Sequence, residues 1–137
     1  KKGMRKKMTP KLLVGFSDVT ALHHYVQSSL GWSCLHASMP ANLSFSGAAP
    51  RDWRKLVSLV KREAKSKDKV QGFLKFYGKP PGKNIEGDLV GGNLAVLQAS
   101  LGTPFQPDFK NKILFLEEVS ESPFRIDRMI TSMERVM

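Results

Sequence analysis

Apolar positions along the chain fall into short runs and helical stripes that alternate. Lys11-Leu12-Leu13-Val14-Gly15-Phe16 is a brief apolar run ending near a glycine, the pattern of a buried strand. Ser17-Asp18 then opens a helix in which Val19, Leu22, Val26 and Leu30 recur at helical spacing, and Gly31 is its stop. Trp32 to Leu35 predicts another short strand, and Met39 to Pro50, rich in small residues and proline, a loop. A second helix starts at Pro50 and Asp52. Trp53, Leu56, Val57 and Val60 form its apolar face, while Arg54, Lys55, Lys61, Arg62 and Lys65 fill most of the rest.

The character changes at the charged run Lys65 to Lys69, which predicts a boundary between residues 1–68 and 69–137. Val70 to Tyr77 fits a strand, and Gly78-Lys79-Pro80-Pro81-Gly82 a turn. Gly87 to Asn93 reads as a glycine-rich entry to a helix carrying Leu94, Leu97 and Leu101, stopped by Gly102 with Pro104 beyond. Ile113-Leu114-Phe115-Leu116 predicts a strand covered on both faces and ending at Glu117-Glu118. Ser122 and Pro123 start a last helix with Ile126, Met129, Ile130 and Met133 as its core face. No stop signal follows, so that helix is expected to reach the terminal residue. Strands alternating with helices make α/β material. Both ends read as cut, as in an internal piece of a longer protein.

Apolar residues make up 41% of the 137, enough for a core and against wholesale disorder. No apolar run approaches the roughly 20 residues that span a bilayer, and the basic start lacks the apolar segment of a signal peptide. One cysteine, Cys34, excludes an internal disulfide framework and fits a reducing, cytoplasmic compartment. The net charge of +10 raises nucleic acid or an anionic surface as partners. Its distribution argues otherwise: six of the 22 basic residues lie in the first eleven positions and eight between Arg51 and Lys69. A basic tail and one solvated helix face account for that. Zinc-finger spacing, RNP-type aromatics and heptads are all missing.

Ser17 sits between a buried strand and a helix, with glycine two places before it, as in a nucleophile elbow. The Asp18 N–H and the helix N-terminus would face a developing oxyanion. Val19 stands where the full elbow pattern has a second glycine, and a plain helix cap remains the commoner use of such a serine. Glu117 ends a buried strand, where a carboxylate is costly unless paired or set in a cleft. A solvated loop acid, beside Glu118 and Glu121, is the bland alternative. His23 and His24 lie on the helix after Ser17 and His36 ends a short strand, and structural or surface roles are favoured for all three. Their spacing suggests no metal site. Gly91-Gly92-Asn93 suits either an anion cradle or a tight turn with an asparagine cap.

Jointly these pieces are more specific. The segment Lys11 to His23 resembles the nucleophile segment of the LD-carboxypeptidases (muramoyltetrapeptide carboxypeptidases, with the microcin C self-immunity peptidases). Gly91-Gly92-Asn93-Leu94, Leu101-Gly102-Thr103-Pro104, Ile113 to Glu118 and Glu121 to Met129 resemble the family's next blocks, in order. The resemblance implies a metal-free and cofactor-free Ser-His-Glu triad that removes the terminal D-alanine of a murein tetrapeptide. Ser17 matches the nucleophile, Glu117 the triad acid, the Asp18 N–H one oxyanion donor and Asn93 a substrate contact. It also implies a flavodoxin-like N-terminal domain, of which the chain holds the later part, and the early part of a mixed α/β C-terminal domain. A murein peptide is the implied partner, with no membrane, and a homodimer of the full-length protein is left open.

Three departures stand out. The family's histidine base lies well beyond the Leu-Glu-Glu strand, yet no histidine follows His36 and the chain stops twenty residues past Glu117. The glycine-rich loop that supplies the other oxyanion donor would precede Lys1. Where the family usually reads His-Gly-Pro, this chain has His36-Ala37-Ser38-Met39-Pro40. The chain alone is therefore expected to be inactive. The alternatives are a truncated, non-catalytic basic binding module and a peptidase acting on peptidyl-nucleotides.

Overall fold

The computed structural model describes residues 8–39, 50–61, 77–79, 82–83 and 85–137. β1 (Leu13–Gly15) leads into α1 (Val19–Leu30) and then β2 (Cys34–His36), which pairs in parallel with β1 so that Gly15 stands opposite His36. α2 (Pro50–Val60) follows. β3 (Asp88–Asn93), α3 (Leu94–Ser100) and β4 (Lys112–Glu117) repeat the arrangement, with β3 and β4 parallel and Asn93 opposite Glu117. α4 (Pro123–Glu134) completes the order. Among the described residues the architecture is α/β: two strand–helix–strand units, each with a two-stranded parallel sheet. The predicted loop at Met39 to Pro50, the Lys65 to Lys69 boundary, the Val70 to Tyr77 strand and part of the turn after it fall largely outside the described residues.

Two expectations change where the units meet. Val19, Leu22, Val26 and Leu30 carry the apolar spacing of α1, but its buried residues are Thr20, His23 and His24, and Leu22 is 54% exposed. The reason is a polar partner across the join. Thr20 Oγ1 accepts the Asn93 N–H at 3.0 Å, and His24 Nε2 donates to the Gly91 carbonyl at 3.0 Å. Buried polar groups stay buried when they are bonded in this way. Gly87 to Asn93, expected to be a loop entering a helix, contains the six-residue strand β3 instead. Its glycines are there for close approach. A side chain at Gly91 would strike the Phe115 carbonyl, and one at Gly92 would lie 2.5 Å from the Thr20 side chain. Their φ angles of 152° and 138° are also ones that residues with a Cβ rarely adopt.

The core lies between α3 and α4. Leu94, Leu97 and Met133 are buried, with Leu101, Phe109, Leu114, Ile126 and Met129 packed against them. Burying each of the three central side chains contributes about 1.5–3 kcal/mol. Ile130, expected in the core face, is half-exposed, and α4 ends at Glu134 with Arg135 as its cap, short of the terminal residue. Ser122 occupies the predicted cap position, but its hydroxyl makes no capping bond; its carbonyl accepts from the Arg125 and Ile126 N–H groups. Leu116 is 40% exposed, so among the described residues β4 is not covered on both faces.

Candidate active site

Ser17 lies in the turn between β1 and α1 with φ at 55°, in the left-handed region. A non-glycine residue held there costs about 1–3 kcal/mol, and such strain concentrates at functional positions. Local packing enforces the turn. A Cβ at Gly15 would come within 2.6 Å of Val19, so α1 turns back directly over the strand end. The Val19 N–H bonds to the Phe16 carbonyl at 3.2 Å, and the Thr20 N–H to the Ser17 carbonyl at 2.9 Å. The Asp18 N–H makes no hydrogen bond among the described residues, and α1 has no side-chain cap. A free amide directly after the serine is what an oxyanion donor requires.

Glu117 ends β4, as the sequence predicts, and its side chain turns inward. Oε2 is buried with no hydrogen-bond partner among the described residues. An unpaired buried carboxylate oxygen costs more than the roughly 1–3 kcal/mol of a neutral group and calls for an explanation. The neighbouring acids also make local bonds: Glu118 Oε1 accepts the Val119 N–H at 2.8 Å, although its Oε2, like that of Glu117, is buried without a partner, and Glu121 pairs with Arg125 at 3.0 Å. What sets Glu117 apart is its approach to His36 of the first sheet.

Asn93 is buried and serves as the N-cap of α3, its Oδ1 accepting the Val96 N–H at 3.2 Å. Of the two uses that the Gly-Gly-Asn sequence allowed, the cap is the one present. Asn93 nevertheless stands opposite Glu117 in the sheet.

His36 is the residue that sequence reasoning set aside. Its Nε2 lies 3.9 Å from Glu117 Oε2, and its ring packs edge-on against Phe115 at 5.1 Å and His23 at 6.2 Å. The contacts form a closed ring. Ser17 is linked to Thr20, Thr20 to Asn93, Asn93 to Glu117 across the sheet, Glu117 to His36, and His36 to Gly15 across the other sheet. Every candidate therefore sits at the carboxyl ends of the parallel strands, where α/β sheets place functional side chains. A separate cleft of about 590 Å³ opens at the opposite ends, lined by Cys34, Asp88 and Lys112 among others. Neither Ser17 nor Glu117 borders it.

Burial holds the pKa of His23 below its ordinary value, with the charges of His36 and His24 adding to the effect. Burial also lowers His24, against the opposing pull of the Gly91 carbonyl. Both are therefore neutral structural groups at neutral pH. Among the described residues, no group of three or more histidine, cysteine, aspartate or glutamate side chains is arranged to hold a metal ion, and no helix is long and apolar enough to cross a membrane.

Residues 2–37 match the family model of the LD-carboxypeptidase N-terminal domain, and residues 86–137 that of the LD-carboxypeptidase C-terminal domain. The probable murein peptide carboxypeptidase of Bacillus subtilis is 33% identical over 127 residues, covering 91% of this chain and 39% of that protein. The muramoyltetrapeptide carboxypeptidase structure from Oxalobacter formigenes superposes with a TM-score of 0.69 at 26% identity, over 91% of this chain and 41% of that one. MccF in complex with glutamyl sulfamoyl guanosine has a TM-score of 0.64 at 22% identity, over 93% and 46%, a likeness of fold. The chain spans about 40% of the length of the curated relatives it matches.

Proposed function

Because the chain belongs to the LD-carboxypeptidase family, we propose that it carries the nucleophile and triad acid of a serine carboxypeptidase that releases the C-terminal D-alanine of murein tetrapeptides. The observation that carries this is the left-handed φ of Ser17 at a strand–helix turn, on one ring of contacts with Glu117. Ser17 Oγ attacks the scissile carbonyl and gives its proton to a histidine base. The Asp18 N–H stabilises the oxyanion, the base passes the proton to the departing D-alanine amine, and water then cleaves the acyl-enzyme. Glu117 orients the base. The Asn93 amide, with Oδ1 committed to α3, offers Nδ2 as a donor to a substrate oxygen.

None of the chain's histidines suits the role of base. His23 and His24 are buried along α1. His36 turns Nε2 to the acid, and its Nδ1 is buried without a partner. A triad base needs its second nitrogen open to the serine. The family's base lies further along the polypeptide, so the 137-residue chain alone has no triad and no family-like rate.

The test replaces the matching segment of the Bacillus subtilis relative with residues 1–137. The chimera is expected to release D-alanine from murein tetrapeptide, and Ser17→Ala to lower the rate by about three powers of ten or more. Release by the 137-residue chain alone, abolished in Ser17→Ala, overturns the absence of a base. Full activity in the Ser17→Ala chimera overturns the nucleophile. A glutamyl-nucleotide assayed in parallel separates a murein peptidase from a peptidyl-nucleotide peptidase.

A further inference from the structure

We propose that His36 is a positioning residue for Glu117, holding one carboxylate oxygen so that the other is presented to the histidine base. This rests on the assignment of Glu117 as triad acid. Oε2 of Glu117 is buried and lacks a hydrogen-bond partner, and the polar atom that faces it is His36 Nε2 at 3.9 Å. That separation is long for a hydrogen bond, so the proposed pairing requires the two groups to approach by about 1 Å.

The imidazole is held in place from three directions. The backbone of His36 is fixed in register opposite Gly15, Phe115 packs against one edge of the ring, and His23 against another. Phe115 lies on β4 two residues before Glu117, so the strand that carries the acid also buttresses the ring. His36 Nδ1 is buried without a partner. Only Nε2 is turned toward a group that accepts a proton donor, which selects the Nε2–H tautomer. A carboxylate must be fixed within tenths of an ångström to orient a base, and glutamate has three rotatable bonds. His36 removes that freedom by tying Oε2 to the first sheet, whose next turn carries Ser17. Acid and nucleophile are thereby referenced to the same strand pair.

Two measurements test this. In the 15N-labelled 137-residue chain at mildly alkaline pH, His36 is expected to show a slowly exchanging Nε2–H resonance that is lost or shifted upfield in Glu117→Leu and kept in Ser17→Ala. A resonance unchanged in Glu117→Leu, or a proton on Nδ1, overturns the proposal. In the chimera, His36→Leu is expected to lower kcat about tenfold or more with KM little changed. His36→Gln, which keeps an N–H donor near Nε2, should recover most of that loss. A chimera in which His36→Leu leaves kcat untouched also overturns the proposal, as does equal damage from Leu and Gln. A wild-type chimera without activity refutes the peptidase assignment, while the resonance still decides whether the two side chains are paired.

Discussion

Thr20→Val removes one atom's function and almost no volume. Thr20 is fully buried, and its hydroxyl accepts the Asn93 N–H at 3.0 Å, across the join between the two strand–helix–strand units. Valine fills the same space and offers no acceptor, so the buried Asn93 N–H is left unpaired at a cost of about 1–3 kcal/mol. Thr20→Ser keeps the acceptor and deletes a buried methyl, costing about 1 kcal/mol. Thr20→Ala loses both and should be the worst of the three. Equilibrium urea denaturation gives the order, and amide exchange at Asn93 gives the location. A local loss of about 2 kcal/mol speeds that exchange roughly thirtyfold. The Val96 amide, bonded to Asn93 Oδ1, should change less. If Thr20→Val matches wild type, or Thr20→Ser is the less stable of the two, the hydroxyl is not what joins the units and the physical reading of α1 is wrong.

Three further outcomes are expected. At Ser17, glycine should be more stable than alanine by about 1 kcal/mol in thermal or urea unfolding, the reverse of their order inside a helix, because φ is positive there. Gly92→Ala should destabilise by about 2–4 kcal/mol through contact with Thr20 and an unsuitable φ. Adding Thr20→Ala should return part of that, and a purely additive double mutant would refute the clash. Stability should also fall on acidification. His23 and His24 have native pKa values below their ordinary 6.5, so below 6.5 the unfolded chain binds protons that the native chain does not. Each contributes a loss of up to about 1.4 kcal/mol per pH unit, from 6.5 down to its lowered native value. His23→Gln and His24→Gln should each flatten the slope, and an unchanged slope in both would contradict the assignment.

Sequence punctuation reveals much of the local structure. Ser17-Asp18 and Gly31 bracket α1, Pro50 opens α2, and Ser122-Pro123 opens α4, because start and stop residues act through backbone preference over a few residues even where no side-chain cap forms. Gly87 to Asn93 misleads because glycine carries no side-chain period. Its strand conformation comes from the Phe115 backbone and Thr20, which are distant in sequence. The buried face of α1 misleads for a related reason: histidine and threonine outrank leucine there only once partners arrive from β3. Ser17 and Glu117 are visible as the ends of apolar runs. The pairing of His36 with Glu117 is not, since neither residue has a local signal for the other. The usable clue is general: histidine and glutamate both end parallel strands, and such ends converge.

At Gly15 a side chain would strike Val19, at Gly91 the Phe115 carbonyl, and at Gly92 the side chain of Thr20. At each of these positions a side chain is resisted unless a neighbour gives way, for reasons unconnected with bond making. A relative that lost the proposed chemistry and let Ser17 or Glu117 drift would still be held toward glycine at all three by packing. Glycine at these positions therefore speaks for the fold and Ser17 and Glu117 for the proposed chemistry, so the two can be lost separately.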